Sequence, residues 1–137
     1  MSPVVFSDAW AQACARAMAA SDGFSQAARD WRGLIVLRLT GDHREGDRRV
    51  LFHLRDGTCH EARAAGPEDE AAAAYVLDGS LVTWREVLSG GLAPLVAVLS
   101  GRLTLVKGSL AALVPHAAMA RELAIAATTI DTRFPEP

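Results

Sequence analysis

The stretch Thr83–Leu110, TWREVLSGGLAPLVAVLSGRLTLVKGSL, decides the fold because its turn residues divide it into two short helices and a strand. Thr83 predicts a helix over residues 84–89, since its hydroxyl can accept a hydrogen bond from a backbone N–H of the first turn. Glu86 stands three residues later and completes a capping box. The Gly90-Gly91 pair then ends the helix, because glycine adopts left-handed backbone at little cost.

The second half of this stretch predicts another helix and a strand. Pro94 suits the first turn of a helix over residues 94–100, which Gly101 ends. Residues 102–107 predict a strand, and Gly108 terminates it. A tryptophan, two apolar helices and an apolar strand therefore occur close together, without a Ser-His-Asp, metal or phosphate motif. This combination predicts a protein that builds an apolar pocket.

The rest of the chain predicts an α+β domain. Ser7 caps an opening helix, a short helix precedes the first strand, and Pro115 begins a closing helix with an apolar stripe. The expected strands are residues 34–40, 48–55, 58–64, 73–78 and 102–107. This order predicts a single domain, residues 1–137, with a mixed, mainly antiparallel five-stranded sheet and its helices on one face. The tail from Asp131 is expected to fray.

The Asp56-Gly57 pair predicts a hairpin between the second and third strands, and two registers compete there. A two-residue turn sets His53 opposite His60. A three-residue turn sets Phe52 opposite His60, and it places the alanines of the third strand on the apolar face with the charged residues outside. We favour the second register because it keeps charges out of the core.

Composition excludes several functional classes. The net charge is −2, so the basic surface that nucleic-acid binding requires is not expected. No apolar run reaches the roughly 18 residues of a membrane span, and residues 1–10 do not resemble a secretory signal. Cys14 and Cys59 form no disulfide framework, which favours the reducing cytoplasm. The preference for Ala and Arg over Lys indicates a bacterial source.

Neither a metal site nor a catalytic site is predicted. Of the histidines at positions 43, 53, 60 and 116, only the His53–His60 pair could converge, and only in the less favoured register, whereas zinc requires three or four ligands. The two cysteines have no neighbouring base and are expected to act as small hydrophobic residues. Asp69 and Glu70 lie in an acidic loop and are expected to be solvated. No cofactor is implied.

The order of turn residues and tryptophans carries a family resemblance over nearly the whole chain. The matching features are Gly79-Ser80, Trp84, Gly90-Gly91, Pro94, Gly101-Arg102-Leu103, Gly108-Ser109-Leu110, Trp10 in the opening helix and the Trp31-x-Gly33 start of the first strand. Together they resemble the sterol-carrier-protein-2-like (SCP2) lipid-transfer domains. The resemblance implies an SCP2-like fold that holds a lipid in an apolar tunnel between sheet and helices.

Two positions depart from the family pattern. Ala93 precedes Pro94 where an acidic or amide residue is frequent, and Ser109 follows Gly108 where Asp or Asn is frequent. These departures leave the identity of the ligand open. The chain also lacks the C-terminal peroxisomal address that some members of the family carry.

The expected function is non-catalytic binding, and transfer, of a lipid, fatty acyl chain or other hydrophobic small molecule. Trp84 is expected to anchor the core, to form a wall of the tunnel, or both. Ala126 and Ala127 are expected to leave room, and Met119 to adapt its shape. The predicted ligand-binding residues are Ile35, Leu37, Phe52, Trp84, Leu95, Val98, Leu99, Leu103, Leu105, Met119, Leu123 and Ile130.

Two other functions compete with this prediction. The first is a protein-interaction or accessory module with a closed core, for which a homodimer or another protein complex is expected. The second is an enzyme acting on a hydrophobic substrate, which would need polar groups such as His60 or Tyr75 inside the cavity.

Overall fold

The computed structural model describes residues 2–40 and 47–135. A five-stranded sheet forms the framework of the fold. Its strands are β1 (Arg32–Leu39), β2 (Arg48–Arg55), β3 (Thr58–Ala65), β4 (Tyr75–Gly79) and β5 (Leu103–Lys107). They lie in the order β3-β2-β1-β4-β5. The β1–β4 pair is parallel, and the other three neighbouring pairs are antiparallel. The α+β class with a mixed, mainly antiparallel sheet is confirmed.

Six α-helices accompany the sheet within the described residues. They are α1 (Asp8–Ala19), α2 (Asp22–Ala27), α3 (Leu81–Leu88), α4 (Pro94–Leu99), α5 (Leu110–Leu113) and α6 (Ala117–Thr128), with 3-10 turns at Pro67–Ala71 and Val114–His116. The main hydrophobic core joins these helices to one face of the sheet. Residues 41–46, which contain His43 and most of the predicted polar loop, lie outside the described residues.

Alternation along the central strands separates two cores of unequal size. Ile35, Leu37 and Leu39 of β1 face the helices, as do Val50 and Phe52 of β2, which pair with Leu37 and Ile35. The opposite face holds a smaller cluster of Val36, Leu51, Ala73 and Val76. Because β1 is buried on both faces, it is fixed at the centre of the sheet.

An aromatic cluster connects α1 to α3 above the sheet. Phe6 lies between Trp10 and Trp84, with ring centroids 5.3 Å and 5.4 Å away and both contacts edge-on. The Phe6 backbone has a φ of 64°, which is unfavourable for a bulky residue. Its complete burial between two indoles offsets this strain.

The β2–β3 hairpin has the turn of the first register and the side-chain alternation of the second. Asp56 and Gly57 both have positive φ and form a two-residue turn, so the predicted three-residue turn is wrong. A bulge at His60 then shifts the register, because Leu54 pairs with Cys59 while His53 pairs with Glu61. The bulge returns Ala62 and Ala64 to the face of Phe52 and Val50, as predicted, but Phe52 pairs with Ala62, so the predicted Phe52–His60 pairing is wrong.

Helix α3 begins three residues earlier than predicted. Ser80, not Thr83, is its N-cap, and the Ser80 hydroxyl accepts a hydrogen bond from the Thr83 backbone N–H. Thr83 is buried inside the helix, and the earlier start allows Leu81 to enter the core. Glu86 pairs with Arg102 of the loop before β5, so the predicted capping box is absent from α3.

The chain end is attached to the beginning of the chain instead of fraying from Asp131. Val4 and Arg133 form a parallel bridge, and the Thr132 hydroxyl accepts a hydrogen bond of 2.9 Å from Trp10 Nε1. Phe134 packs at the edge of the core, where the Arg85 guanidinium lies over its ring. The last two residues lie outside the described part of the chain.

Ion pairs hold the Pro67–Ala71 turn on the sheet face away from most of the helices. Glu70 accepts hydrogen bonds from Arg38 and Arg49, and Arg38 also pairs with Asp78. Asp69 receives two hydrogen bonds from Arg63, of 2.9 Å and 3.2 Å. The expectation that Asp69 and Glu70 are merely solvated is therefore wrong, because both carboxylates are paired.

One helical stretch, Leu110–Thr128, is long and apolar enough to cross a membrane, a test that core helices of soluble proteins also pass. The 3-10 turn around Pro115 interrupts its regular hydrogen bonding. Beyond this turn, Met119, Leu123 and Ala126 are buried against the core. One side of the stretch therefore packs on the core.

The hairpin turn predicts a specific cost for Gly57→Ala. Gly57 and Gly101 both have a φ near +80°, so alanine at either position should cost about 1–2 kcal/mol of backbone strain. An added Cβ at Gly57 would also lie 2.6 Å from the Ser25 carbonyl oxygen, whereas at Gly101 it would meet nothing within 4 Å. Urea unfolding should find Gly57→Ala less stable than Gly101→Ala by at least about 1 kcal/mol. Equal losses would contradict this packing of α2 on the turn.

The Asp69–Arg63 pair predicts acid sensitivity. The Arg63 hydrogen bonds lower the pKa of Asp69 to about 2, so folding is stabilised by its ionised form. That stabilisation should be complete at neutral pH and should disappear as the pH falls from about 5 to about 2. Urea unfolding across this range should show a shallower loss for Asp69→Asn, which lacks the titrating group, than for the unsubstituted chain. Glu68→Gln, which removes an exposed carboxylate from the same turn, is the matched control, and an equal effect of the two substitutions on the slope would contradict the prediction.

Candidate functional site: an apolar cavity between sheet and helices

A cavity of about 50 Å³ lies between the inner face of the sheet and the helices. A single water needs roughly 10–15 Å³, so the cavity can hold several water-sized groups. No polar atom contributes to its surface. The lining residues are Ile35, Leu37, Tyr75, Leu77, Trp84, Val87, Leu88, Pro94, Leu103, Leu113, Met119, Ala120, Leu123 and Ala124.

Strands β1 and β4 supply the floor of the cavity. Their parallel register sets Ile35 beside Tyr75 and Leu37 beside Leu77, and all four side chains point towards the helices. Leu103 of β5 extends the floor at the edge of the sheet. The floor is apolar because successive strand residues alternate between faces, which sends Arg38 and Asp78 to the other side.

Helix α6 supplies the roof, and two of its small residues create the space. Met119, Ala120, Leu123 and Ala124 lie along one side of this helix, and all four line the cavity. A larger side chain at either alanine would occupy the volume that the cavity now has. The sequence pointed instead to Ala126 and Ala127, which are buried in the core but do not line the cavity.

Trp84 of α3 is both a core anchor and a wall of the cavity. Its Nε1–H donates a hydrogen bond of 2.8 Å to the Arg38 carbonyl oxygen, which fixes the ring over β1. The absence of a side chain at Gly79 makes this approach possible. An added Cβ there would lie 2.5 Å from Leu103 Cδ2 and 3.1 Å from Trp84 Nε1.

The structure brings eight of the twelve predicted ligand-binding residues to the cavity region. Six line the main cavity: Ile35, Leu37, Trp84, Leu103, Met119 and Leu123. Leu95 and Val98 line a neighbouring cavity of about 20 Å³. This smaller cavity shares Leu77, Pro94, Leu113 and Ala120 with the main one, so one layer of side chains separates the two.

The other four predicted residues line neither cavity. Phe52 is fully buried near Trp10, because α1 rather than α6 covers β2. Leu99 ends a helix of six residues and is 63% exposed. Leu105 and Ile130 are half-buried at the margin of the core, since β5 is an edge strand and Ile130 lies beyond the end of α6.

The comparison with known proteins decides the family. No protein-family model and no curated protein matches the chain. Among solved structures, a crystal structure of sterol carrier protein 2 has a TM-score of 0.83 and 38% identity, covering 92% of this chain and 98% of that one. The chain belongs to the sterol carrier protein 2 family.

Two further SCP2 structures extend this relationship. A conserved hypothetical protein of Thermus thermophilus, described as a candidate sterol carrier protein, has a TM-score of 0.84 and 38% identity, with 97% of this chain and 94% of that chain covered. Sterol Carrier Protein 2 from Yarrowia lipolytica, in its apo form, has a TM-score of 0.59 at 13% identity, covering 85% and 88%. At that identity it supports the fold alone.

One end of the cavity in this SCP2 domain adjoins a cluster of three rings. The Trp31 ring centroid lies 5.2 Å from that of Tyr75, which lines the cavity, and 4.7 Å from that of His116, which meets it edge-on. Trp31 is buried, and its Nε1–H has no hydrogen-bond partner among the described residues. Apolar alternation within residues 75–77 puts Tyr75 and Leu77 on one strand face, which is a sequence signal that both could line the cavity.

Cys14, Cys59, His53 and His60 do not line the cavity. Burial raises the pKa of Cys14 far above its usual range and that of Cys59 to about 11, so both thiols are protonated at neutral pH. The His53 and His60 rings lie 5.8 Å apart, measured between centroids. Residues 2–40 and 47–135 contain no group of three or more His, Cys, Asp or Glu side chains placed to bind a metal.

Trp84, which lines the cavity, and Trp31, which packs on the lining residue Tyr75, should lose different amounts of folding stability when each is replaced by Phe. Trp84→Phe leaves the buried Arg38 carbonyl without its hydrogen bond, which should cost about 1–3 kcal/mol beyond the change in packing. Trp31→Phe removes an N–H that has no partner, so it should cost less by about that amount. Urea unfolding of both variants measures the difference. A loss for Trp31→Phe equal to that for Trp84→Phe would contradict the role given to the Trp84 hydrogen bond.

Proposed function

We propose that this SCP2 domain binds a lipid, fatty acyl chain or similar hydrophobic molecule in the cavity between sheet and helices, and carries it without catalysing a reaction. The observation that supports this proposal most is the entirely apolar surface of that cavity. Family membership supports it as well, since a full-length relative at 38% identity is a sterol carrier protein. We expect the carrier to act in the cytoplasm.

Burial of hydrocarbon supplies the binding energy. Each methylene group removed from water contributes about 0.8 kcal/mol, so even part of an acyl chain gives useful affinity. A cavity of about 50 Å³ is too small for a long chain. We propose that the ligand joins the main and smaller cavities by displacing the side chains that they share, chiefly Leu113 of the four-residue helix α5. The joined space would form the tunnel.

The polar groups named for an enzymatic function do not favour catalysis. His60 is exposed and does not line the cavity. Tyr75 lines it, but its hydroxyl contributes no polar surface there. A reaction on a bound lipid would need a nucleophile, base or oxyanion donor at the substrate. We therefore propose that the domain carries a bound lipid and does not catalyse a reaction on it.

Exposed apolar side chains favour a second candidate function, a protein-interaction module with a closed core. Val96, Leu99, Val106, Leu110 and Val114 are all more than a third exposed and belong to α4, β5 and the α5 region. Native mass spectrometry of freshly purified protein distinguishes the two functions. A co-purifying lipid mass supports the carrier, whereas a ligand-free mass in a tight dimer or complex supports the module.

Filling the cavity should weaken ligand binding selectively. Ala124→Leu adds three carbons where the ligand would lie, so affinity for dodecanoate should fall by about 2.4 kcal/mol, or about 50-fold. Ala118→Leu makes the same change at an exposed position of α6 and should leave affinity unchanged. Isothermal titration calorimetry measures both, after circular dichroism has verified the fold. Unchanged dodecanoate affinity in Ala124→Leu would exclude this cavity as the binding site.

A further inference from the structure

The indole N–H of Trp31 is an unused hydrogen-bond donor in the interior. Trp31 is only 4% exposed, and no described atom accepts from its Nε1–H. Buried tryptophan N–H groups usually have a partner, so an exception requires an explanation. The other two tryptophans follow the rule, because Trp10 donates to Thr132 and Trp84 donates to the Arg38 carbonyl.

The position of this donor relates it to the cavity. The Trp31 ring packs on Tyr75, whose ring lines the cavity floor, and His116 meets the Trp31 ring from the side of α6. His116 is half-buried and immediately precedes α6, the helix that forms the roof. An N–H donor, a phenol and an imidazole therefore collect beside one end of the cavity, just outside a lining whose surface is entirely hydrocarbon.

Among the described residues that line the cavity, those at the opposite end offer no unpartnered donor. Tyr75 pairs with Ile35 of β1, and four residues further along these strands Gly79 pairs with Leu39 beneath Trp84. At about 3.3 Å per residue the two ends are about 13 Å apart. The Trp84 N–H is already bonded to the Arg38 carbonyl. The unpartnered donor therefore adjoins one end of the cavity and not the other.

We propose that Trp31, Tyr75 and His116 form the head-group end of the ligand site, and that the ligand is an amphipathic lipid whose head carries an acceptor oxygen, as in a fatty-acid carboxylate. This inference rests on the proposed function, because it assumes that the cavity binds lipid. The hydrocarbon tail then runs towards Trp84. An indole N–H can only donate, so it selects a carboxylate over an ammonium head group.

Two ligands of equal chain length test the proposal, because they differ only in the head group. The unsubstituted chain should bind dodecanoate more tightly than dodecylammonium. Trp31→Phe should weaken dodecanoate binding by about 10-fold or more, the usual effect of losing a hydrogen bond to a charged group, and should leave dodecylammonium binding within about twofold. Tyr75→Phe should change the ratio of affinities in the same direction. Trp10→Phe is the matched control and should leave the ratio unchanged, since the Trp10 N–H is already bonded and its ring does not line the cavity.

Nitrogen–proton NMR of the unsubstituted chain gives an independent reading that does not depend on a variant folding. Addition of dodecanoate should shift the Trp31 indole N–H signal strongly, and dodecylammonium should not. Equal affinity for the two ligands, or an indole signal that dodecanoate leaves in place, would mean that a buried water satisfies Trp31, and the inference would be overturned while lipid binding stands. Failure of both ligands to bind would overturn the proposed function and the inference together.

Discussion

The hydrogen bond from the Trp84 indole to the Arg38 carbonyl ties one wall of the cavity to the central strand of the sheet. It fixes α3 to the central strand at a point where Gly79 leaves room for the ring. Phe6 then packs edge-on against the same ring and brings the start of α1 into contact with α3. A directed hydrogen bond as well as packing therefore holds this wall of the cavity in place.

The opposite face of the sheet makes the floor of that space stiff. Arg38 and Arg49 hold Glu70 of the Pro67–Ala71 turn, and Lys107 donates to the carbonyl oxygens of Glu70 and Ala71. These contacts connect strands β1, β2 and β5 through one short turn. The helical side has a weaker construction, because α4 and α5 contain only six and four residues. The cavity therefore has a rigid floor, whereas the short helices α4 and α5 beside the α6 roof are the more adaptable part of its surroundings.

The bounds of helices and strands were predicted well where the sequence signals agreed, and they were predicted wrongly where two signals competed for the same position. The five strands lie within about two residues of their predicted bounds because apolar alternation and glycine stops agree there. Ser80 and Thr83 are both good helix caps, and only the burial of Leu81 selects Ser80. At the hairpin, the Asp56-Gly57 turn and the apolar alternation of the two strands require different registers. The bulge at His60 accommodates both, because it shifts the register between the Leu54–Cys59 and His53–Glu61 pairs. The site was predicted in part, since Ala120 and Ala124 become lining residues only through the docking angle of α6.

The parallel bridge between Val4 and Arg133 brings the two ends of the described chain side by side. Neighbouring termini allow a domain to be spliced into a surface loop of a host polypeptide without stretching either partner. They also allow the original ends to be joined and new ones to be opened elsewhere, which makes circular permutation practicable. The same geometry makes this domain suitable for insertion into engineered multi-domain proteins.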